Sequence, residues 1–71
     1  MSTQRERAAW RQNARVAVKA YQSRPGASKD IQEAIIDLSS DLLHLAVSHG
    51  IDPSWVTGRA TDNWTAEREN L

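Results

Sequence analysis

Cysteine is absent from these 71 residues, and so is any long apolar run. Without cysteine there can be no disulfide, no thiolate metal site and no thiol nucleophile, so a reducing intracellular location is expected. No apolar stretch approaches the roughly 18 residues that span a membrane, and the first residues are too polar for a signal peptide. We therefore expect a cytoplasmic protein without a membrane partner.

Sequence patterns of catalysis are lacking as well. There is no Gly-x-Ser-x-Gly elbow, no phosphate-binding loop and no paired-carboxylate cleft. A bundle of short helices also has little room for a substrate pocket. We expect no enzymatic activity and no cofactor.

The chain is long enough for a single helical domain, 1–71, and it is too short to bury much surface. A chain of this size buries only about 60% of the surface that it exposes when unfolded. Apolar burial at about 25 cal/mol per Å² then barely offsets an ordering cost on the order of 1.5 kcal/mol per residue. A second copy or a partner is expected to add stability.

The net charge is zero, but the charges are sorted along the chain. Residues 1–29 carry seven basic side chains and one acid, a net +6, whereas residues 30–71 carry two basic side chains and eight acids, a net −6. Separated charge creates a directional field that steers encounters, so it is typical of a chain that docks to another molecule.

Residues 3–23 lack Gly and Pro and are rich in Ala and Arg, which predicts a first helix. Apolar side chains share one arc of it at helical spacing. They are Trp10, Ala14, Ala17, Val18 and Tyr21. A basic ridge rises beside them in i, i+4 steps, formed by Arg7, Arg11, Arg15 and Lys19.

A second helix is predicted over 29–49, with Ser28 as its N-cap and Gly50 as the left-handed residue after its end. Its apolar positions fill one broad arc and a second, narrower strip, so it should be the central helix, packed on more than one side. A third helix is predicted over 53–69, and a break near Gly58 is left open because its neighbours are poor helix formers. The expected fold is all-α, a three-helix hairpin or bundle, with dimerisation left open.

The basic ridge allows three interpretations. It can be a solvated face paired with acids of the second helix, it can follow a nucleic-acid backbone, or it can engage an acidic patch on another protein, where arginine grips carboxylates in a bidentate manner. Asp37 and Asp41 would correspondingly engage basic groups of a partner.

Asp37, Asp41 and His44 fall on one helical face at a spacing that metal-carboxylate bundles use. A complete site would need further carboxylates from elsewhere, and a solvated polar face explains the trio, so no metal is assigned. The turn at Gly50 also matches the small-x-x-x-Gly pattern of a helix-turn-helix, but a C-cap followed by a new helix start explains the same residues.

Three tryptophans in so short a chain suggest a binding surface, because tryptophan is enriched among residues that dominate interface energies. Trp10 and Trp64 fall on inner stripes, and we expect both in the core. Trp55 lies about 180° around the third helix from Trp64, so it is the candidate interface anchor. Alternatively, Trp55 covers the end of the helix hairpin.

Residues 37–45, then Gly50-Ile51-Asp52 and a short acidic helix rich in Ala and aromatic residues, resemble small helical proteins of bacteriophages, prophages and other mobile elements. The resemblance spans residues 37–69. It implies a non-enzymatic accessory protein that binds and disables or redirects a host complex in the bacterial cytosol, as anti-CRISPR and other anti-defence inhibitors do.

The function expected from the sequence is therefore blockage of a host protein or ribonucleoprotein complex through a charge-split surface. The partner-binding residues would be Arg7, Arg11, Arg15, Lys19, Asp37, Asp41 and Trp55. The alternative is a small helical DNA-binding regulator that uses the basic first helix or the turn at Gly50.

Overall fold

The computed structural model describes residues 3–69, and the two ends of the expected 1–71 domain lie outside the described residues. Three helices follow one another: α1 spans Gln4–Gln22, α2 spans Ile31–Ser48 and α3 spans Pro53–Glu69. Each predicted boundary lies within two residues of the observed one. Residues 3–69 contain no strand, so the all-α three-helix fold is confirmed.

The start of α2 differs from the prediction by its cap. Asp30, not Ser28, is the N-cap: its Oδ2 accepts a hydrogen bond from the backbone N–H of Glu33 at 3.0 Å. The Ser28 hydroxyl instead accepts from the backbone N–H of Asp30 at 3.1 Å and donates to the Glu33 carboxylate at 2.7 Å. Serine and aspartate are both good N-caps. The Asp30 carboxylate is also attracted by the partial positive charge at the N-terminus of the helix.

The end of α2 is closed as predicted. Gly50 has φ +73, and its N–H donates to the carbonyl of Val47 at 3.0 Å, while the N–H of Ile51 donates to the carbonyl of Ala46 at 2.9 Å. This pair of bonds is a Schellman motif, which satisfies the last carbonyls of a helix. Asp52 then starts α3 by accepting from the N–H of Ser54 at 2.9 Å.

Helix α3 is continuous through Gly58, so the break left open by the sequence does not occur. An interior glycine costs a helix about 1 kcal/mol relative to alanine. The firm start at Asp52 and Pro53 and the packing of α3 on α2 are sufficient to carry the helix past it.

The three helices form an open arrangement around α2. Both α1 and α3 pack on α2, as expected for a central helix, whereas within residues 3–69 no Cα atom of α1 comes within 8 Å of α3. Directly packed helices lie about 8–10 Å apart between axes. The first and third helices therefore leave a gap between them.

Burial in the described residues is limited to small side chains. Val18, Ala34 and Ala46 are the buried ones. The prediction that Trp10 and Trp64 belong to the core is wrong, because they are 37% and 59% exposed. Their inner stripes face the gap between α1 and α3, which no other element within residues 3–69 fills. None of the described helices is both long and apolar enough to cross a membrane.

Two glycine substitutions test the local backbone argument. Gly50→Ala should lower the free energy of unfolding by about 1–2 kcal/mol, because a Cβ is disfavoured at φ +73. Gly58→Ala, the matched control in α3, has open space around the new methyl group and should raise the free energy of unfolding by about 1 kcal/mol. Urea denaturation measures both changes. If the two substitutions shift the free energy of unfolding in the same direction, the left-handed conformation assigned to Gly50 or the helical conformation assigned to Gly58 is wrong.

Candidate binding trough

Two neighbouring grooves form a continuous concave surface. The first lies between α1 and α3, has a volume of about 350 Å³ and is lined by Arg7, Trp10, Arg11, Ala14, Trp64, Glu67 and Arg68. The second lies between α1 and α2, has a volume of about 340 Å³ and is lined by Arg11, Ala14, Arg15, Val18, Ile31 and Ile35. Because both grooves include Arg11 and Ala14, they are contiguous, and together they are called the trough.

The floor of the trough is apolar. Helical geometry stacks Trp10, Ala14 and Val18 on one side of α1 at intervals of four residues. Ile31 and Ile35 extend this floor onto α2, and Trp64 extends it onto α3. The trough follows α1 from Arg7 to Val18, a length of about 16 Å at 1.5 Å per residue.

The rim of the trough is basic. Among the described residues, four arginines and one acid, Glu67, line it, which gives these residues a net charge of +3. The arginines are Arg7, Arg11, Arg15 and Arg68. The Arg68 guanidinium lies over the Trp64 ring at 4.9 Å from its centroid, a cation–π contact that covers one face of the indole.

A polar cluster, made by Tyr21, Arg24 and Asp41, joins α1 to α2. The Tyr21 hydroxyl donates to Asp41 Oδ2 at 2.6 Å, and the Arg24 guanidinium lies over the Tyr21 ring at 3.7 Å from its centroid. The hydrogen bond to Asp41 raises the pKa of Tyr21 above its ordinary value, because it holds the proton on the phenol, and partial burial acts in the same direction. The positive charge of Arg24 opposes this shift.

The structure separates the partner-binding residues that the sequence predicted. Arg7, Arg11 and Arg15 line the trough, whereas Lys19 is exposed on α1 and does not line it. Asp37 is exposed. Asp41 is hydrogen-bonded to Tyr21 and is therefore not simply a charge directed at a partner.

Trp55 is 62% exposed near the start of α3. It lies about 180° around that helix from Trp64, so it faces away from the trough. Its surface is thus separate from the trough, in keeping with the prediction that Trp55 and Trp64 point in different directions.

The sequence pattern does not assign Trp10, Trp64, Ile31, Ile35 or Arg68 to a binding surface. Helical periodicity places the four apolar residues on inward-facing stripes, and they are exposed because α1 and α3 do not close on each other. Arg68 gave no sequence signal beyond its i, i+4 spacing from Trp64.

Asp37, Asp41 and His44 do not extend into a metal site in the part of the chain that the structure describes, where no group of three or more potential metal-binding side chains is found. The turn at Gly50 is a Schellman cap followed by α3. The basic side chain that α3 offers in its first two turns is Arg59, whereas recognition helices usually present several groups to base edges.

No protein-family model matches this chain, and no curated protein or solved structure is detectably similar to it.

Alkaline titration tests the Tyr21–Asp41 hydrogen bond. Because folding raises the pKa of Tyr21, the stabilisation is complete below the ordinary value of 10.0 and is lost as the pH rises through the raised value. Tyr21 is the only tyrosine, so phenolate absorbance reports on it alone. Asp41→Asn should return the pKa toward 10.0.

The control for this titration is Asp37→Asn, which removes a nearby charge but not the hydrogen bond, and it should lower the pKa of Tyr21 less than Asp41→Asn does. An unchanged pKa in Asp41→Asn would show that the bond does not form in solution.

Proposed function

We propose that this chain is a small non-enzymatic protein of phage or mobile-element type that binds and blocks a host protein or ribonucleoprotein complex in the bacterial cytosol. Inhibition of anti-phage defence, including CRISPR complexes, falls within this proposal. The observation that carries it is the 62% exposure of Trp55 on the outer face of α3.

An exposed tryptophan is the residue type best suited to anchor such a contact. Its indole can bury about 150–250 Å², and tryptophan is enriched where a few residues dominate binding energy. Val47 and Ile51, at the end of α2 and in the turn before α3, are 59% and 42% exposed. They supply apolar surface at the same end of the molecule.

The separated charges support the same function. Arg7, Arg11, Arg15 and Lys19 would engage acidic groups of the target, and the exposed Asp37 would engage basic ones. Such a field raises the rate of encounter and sets the orientation of docking more than it adds affinity. An acid placed where a phosphate would lie can compete for a basic nucleic-acid channel.

Affinity purification tests the role of Trp55. The tagged chain is incubated with bacterial host lysate, captured proteins are identified by mass spectrometry, and the affinity for the purified target is then measured. Trp55→Ala should weaken that affinity about 30-fold, the effect of losing roughly 2 kcal/mol at an interface anchor.

The matched control is Val16→Ala, since Val16 is 59% exposed on α1 and does not line the trough. It should change the affinity less than twofold, roughly the scale of substitutions outside the main anchors. If Trp55→Ala and Val16→Ala bind the target equally well, Trp55 is not the anchor.

The second candidate function is a DNA-binding regulator, and one observation favours it. Arg7, Arg11 and Arg15 stand in a row beside Trp10 and Trp64, and rows of basic groups with aromatic side chains occur in nucleic-acid sites. A gel-shift titration with duplex and single-stranded DNA at rising salt tests it. A regulator should bind in the nanomolar range at low salt and weaken steeply with salt, and absence of salt-dependent binding would eliminate this function.

A further inference from the structure

The chain exposes more surface than a compact monomer of its mass. Its solvent-accessible area is 5749 Å², whereas a folded monomer of 7.9 kDa exposes about 4,400 Å². The radius of gyration of 13.8 Å also exceeds the value of about 11 Å expected for this length. The surplus of about 1,300 Å² is larger than the roughly 800 Å² that each partner buries in a standard interface.

Part of this surplus surface is apolar and lies in the trough. Ile31, Ile35 and Trp64 line it and are 55%, 50% and 59% exposed. Leu42, 52% exposed, continues the face of Ile35 two turns further along α2. A molecule that binds in the trough should place apolar side chains against the floor and acidic side chains against the rim, whose net charge is +3.

We propose that the trough binds an acidic amphipathic helix of a partner protein. This inference rests on the proposed function and names the chemistry of the target segment. A helix of about eleven residues spans the 16 Å of the trough. Apolar side chains at i, i+3, i+4 and i+7 enter the floor, as in other helix-in-groove complexes, and flanking carboxylates meet the guanidinium groups of the rim.

Two features of the trough disfavour a nucleic-acid strand as its occupant. Much of the floor is aliphatic, formed by Ala14, Val18, Ile31 and Ile35, whereas bases stack on aromatic faces. One face of Trp64 is already covered by Arg68.

A second copy of the chain is disfavoured by charge. Two troughs placed face to face would bring together two rims that each carry +3. Of the three exposed acids of α2, Asp41 is hydrogen-bonded to Tyr21. Glu33 and Asp37 lie about 140–180° around that helix from Ile35 and Leu42, so a copy docking by this apolar face would turn those two acids away from the rim.

The first experiment compares probes on the full chain by tryptophan fluorescence. One synthetic helical peptide has leucine at the i, i+3, i+4, i+7 positions and glutamate elsewhere. A second peptide has lysine in place of glutamate, and oligothymidylate represents a nucleic-acid strand. The glutamate peptide should bind at least about tenfold more tightly than either other probe.

The second experiment locates the binding of the glutamate peptide. Ile35→Glu places a charge in the floor and should weaken binding at least about tenfold. Ile36→Glu is the matched control, since Ile36 is 58% exposed and does not line the trough. Arg11→Glu on the rim should likewise weaken binding more than Lys19→Glu, which makes the same change of charge outside the trough.

Three results would overturn the inference. The first is equal binding of the glutamate and lysine peptides, or tighter binding of oligothymidylate. The second is an equal effect of Ile35→Glu and Ile36→Glu. The third is a stable dimer by light scattering that excludes the peptide.

The Trp55→Ala variant distinguishes a failure of the trough inference from a failure of the proposed function. It should leave peptide affinity unchanged because Trp55 lies outside the trough. If the Trp55 variant loses the host target while Ile35→Glu still binds both target and peptide, the blocking function stands and the trough inference fails. If no host target is captured but the peptide binds as described, the trough inference stands and the blocking function fails.

Discussion

The packing of both outer helices on α2 alone is the constraint on which the rest of the structure depends. Ala34 is buried in the half of α2 that borders the α1–α2 groove, and Ala46 is buried near the end from which α3 departs. Alanine allows close approach of a neighbouring helix, but it contributes little apolar burial. Most of the larger side chains of α2 are therefore left exposed beside these contacts rather than buried in them, and two of them, Ile31 and Ile35, line the trough.

The Tyr21–Asp41 hydrogen bond links the basic first part of the chain to the acidic second part. It joins one acid of the second half and, through the stacked Arg24, one base of the first half in a single cluster on the surface. The five bases of α1 divide between the trough rim, with Arg7, Arg11 and Arg15, and positions outside the trough, with Arg5 and Lys19. The four basic side chains that form one ridge in the sequence are thus divided in the fold, because Arg7, Arg11 and Arg15 line the trough and Lys19 does not.

Local chemistry explains why the helices could be predicted from the sequence. Helix propensity, the left-handed glycine at Gly50 and the Asp52-Pro53 start each act over a few residues, and all of them appear where the sequence indicated. The misassigned cap has the same local origin, because Ser28 and Asp30 compete within three residues. Gly58 shows that a poor helix former within a helix is tolerated when the helix start is firm.

The trough could not be predicted because it depends on distances between helices. A periodic stripe shows that Trp10 and Trp64 face inward, but it does not show whether another helix reaches them. Trp10 and Trp64 line one groove, and its width is set by the angles at which α1 and α3 leave α2. Trp55, whose position depends only on its rotation along one helix, was by contrast correctly separated from Trp64.

The absence of backbone contact between α1 and α3 in residues 3–69 also affects how the sequence can vary. Substitutions on outer faces of the two helices share no neighbours, so their effects on folding should add. Positions on these outer faces can then diverge independently of each other, whereas a bulkier residue at Ala34 or Ala46 would displace a whole helix. Evolutionary drift should accordingly be fast at outer positions of α1 and α3 that bind no partner, and slow at the positions that line the trough and along α2.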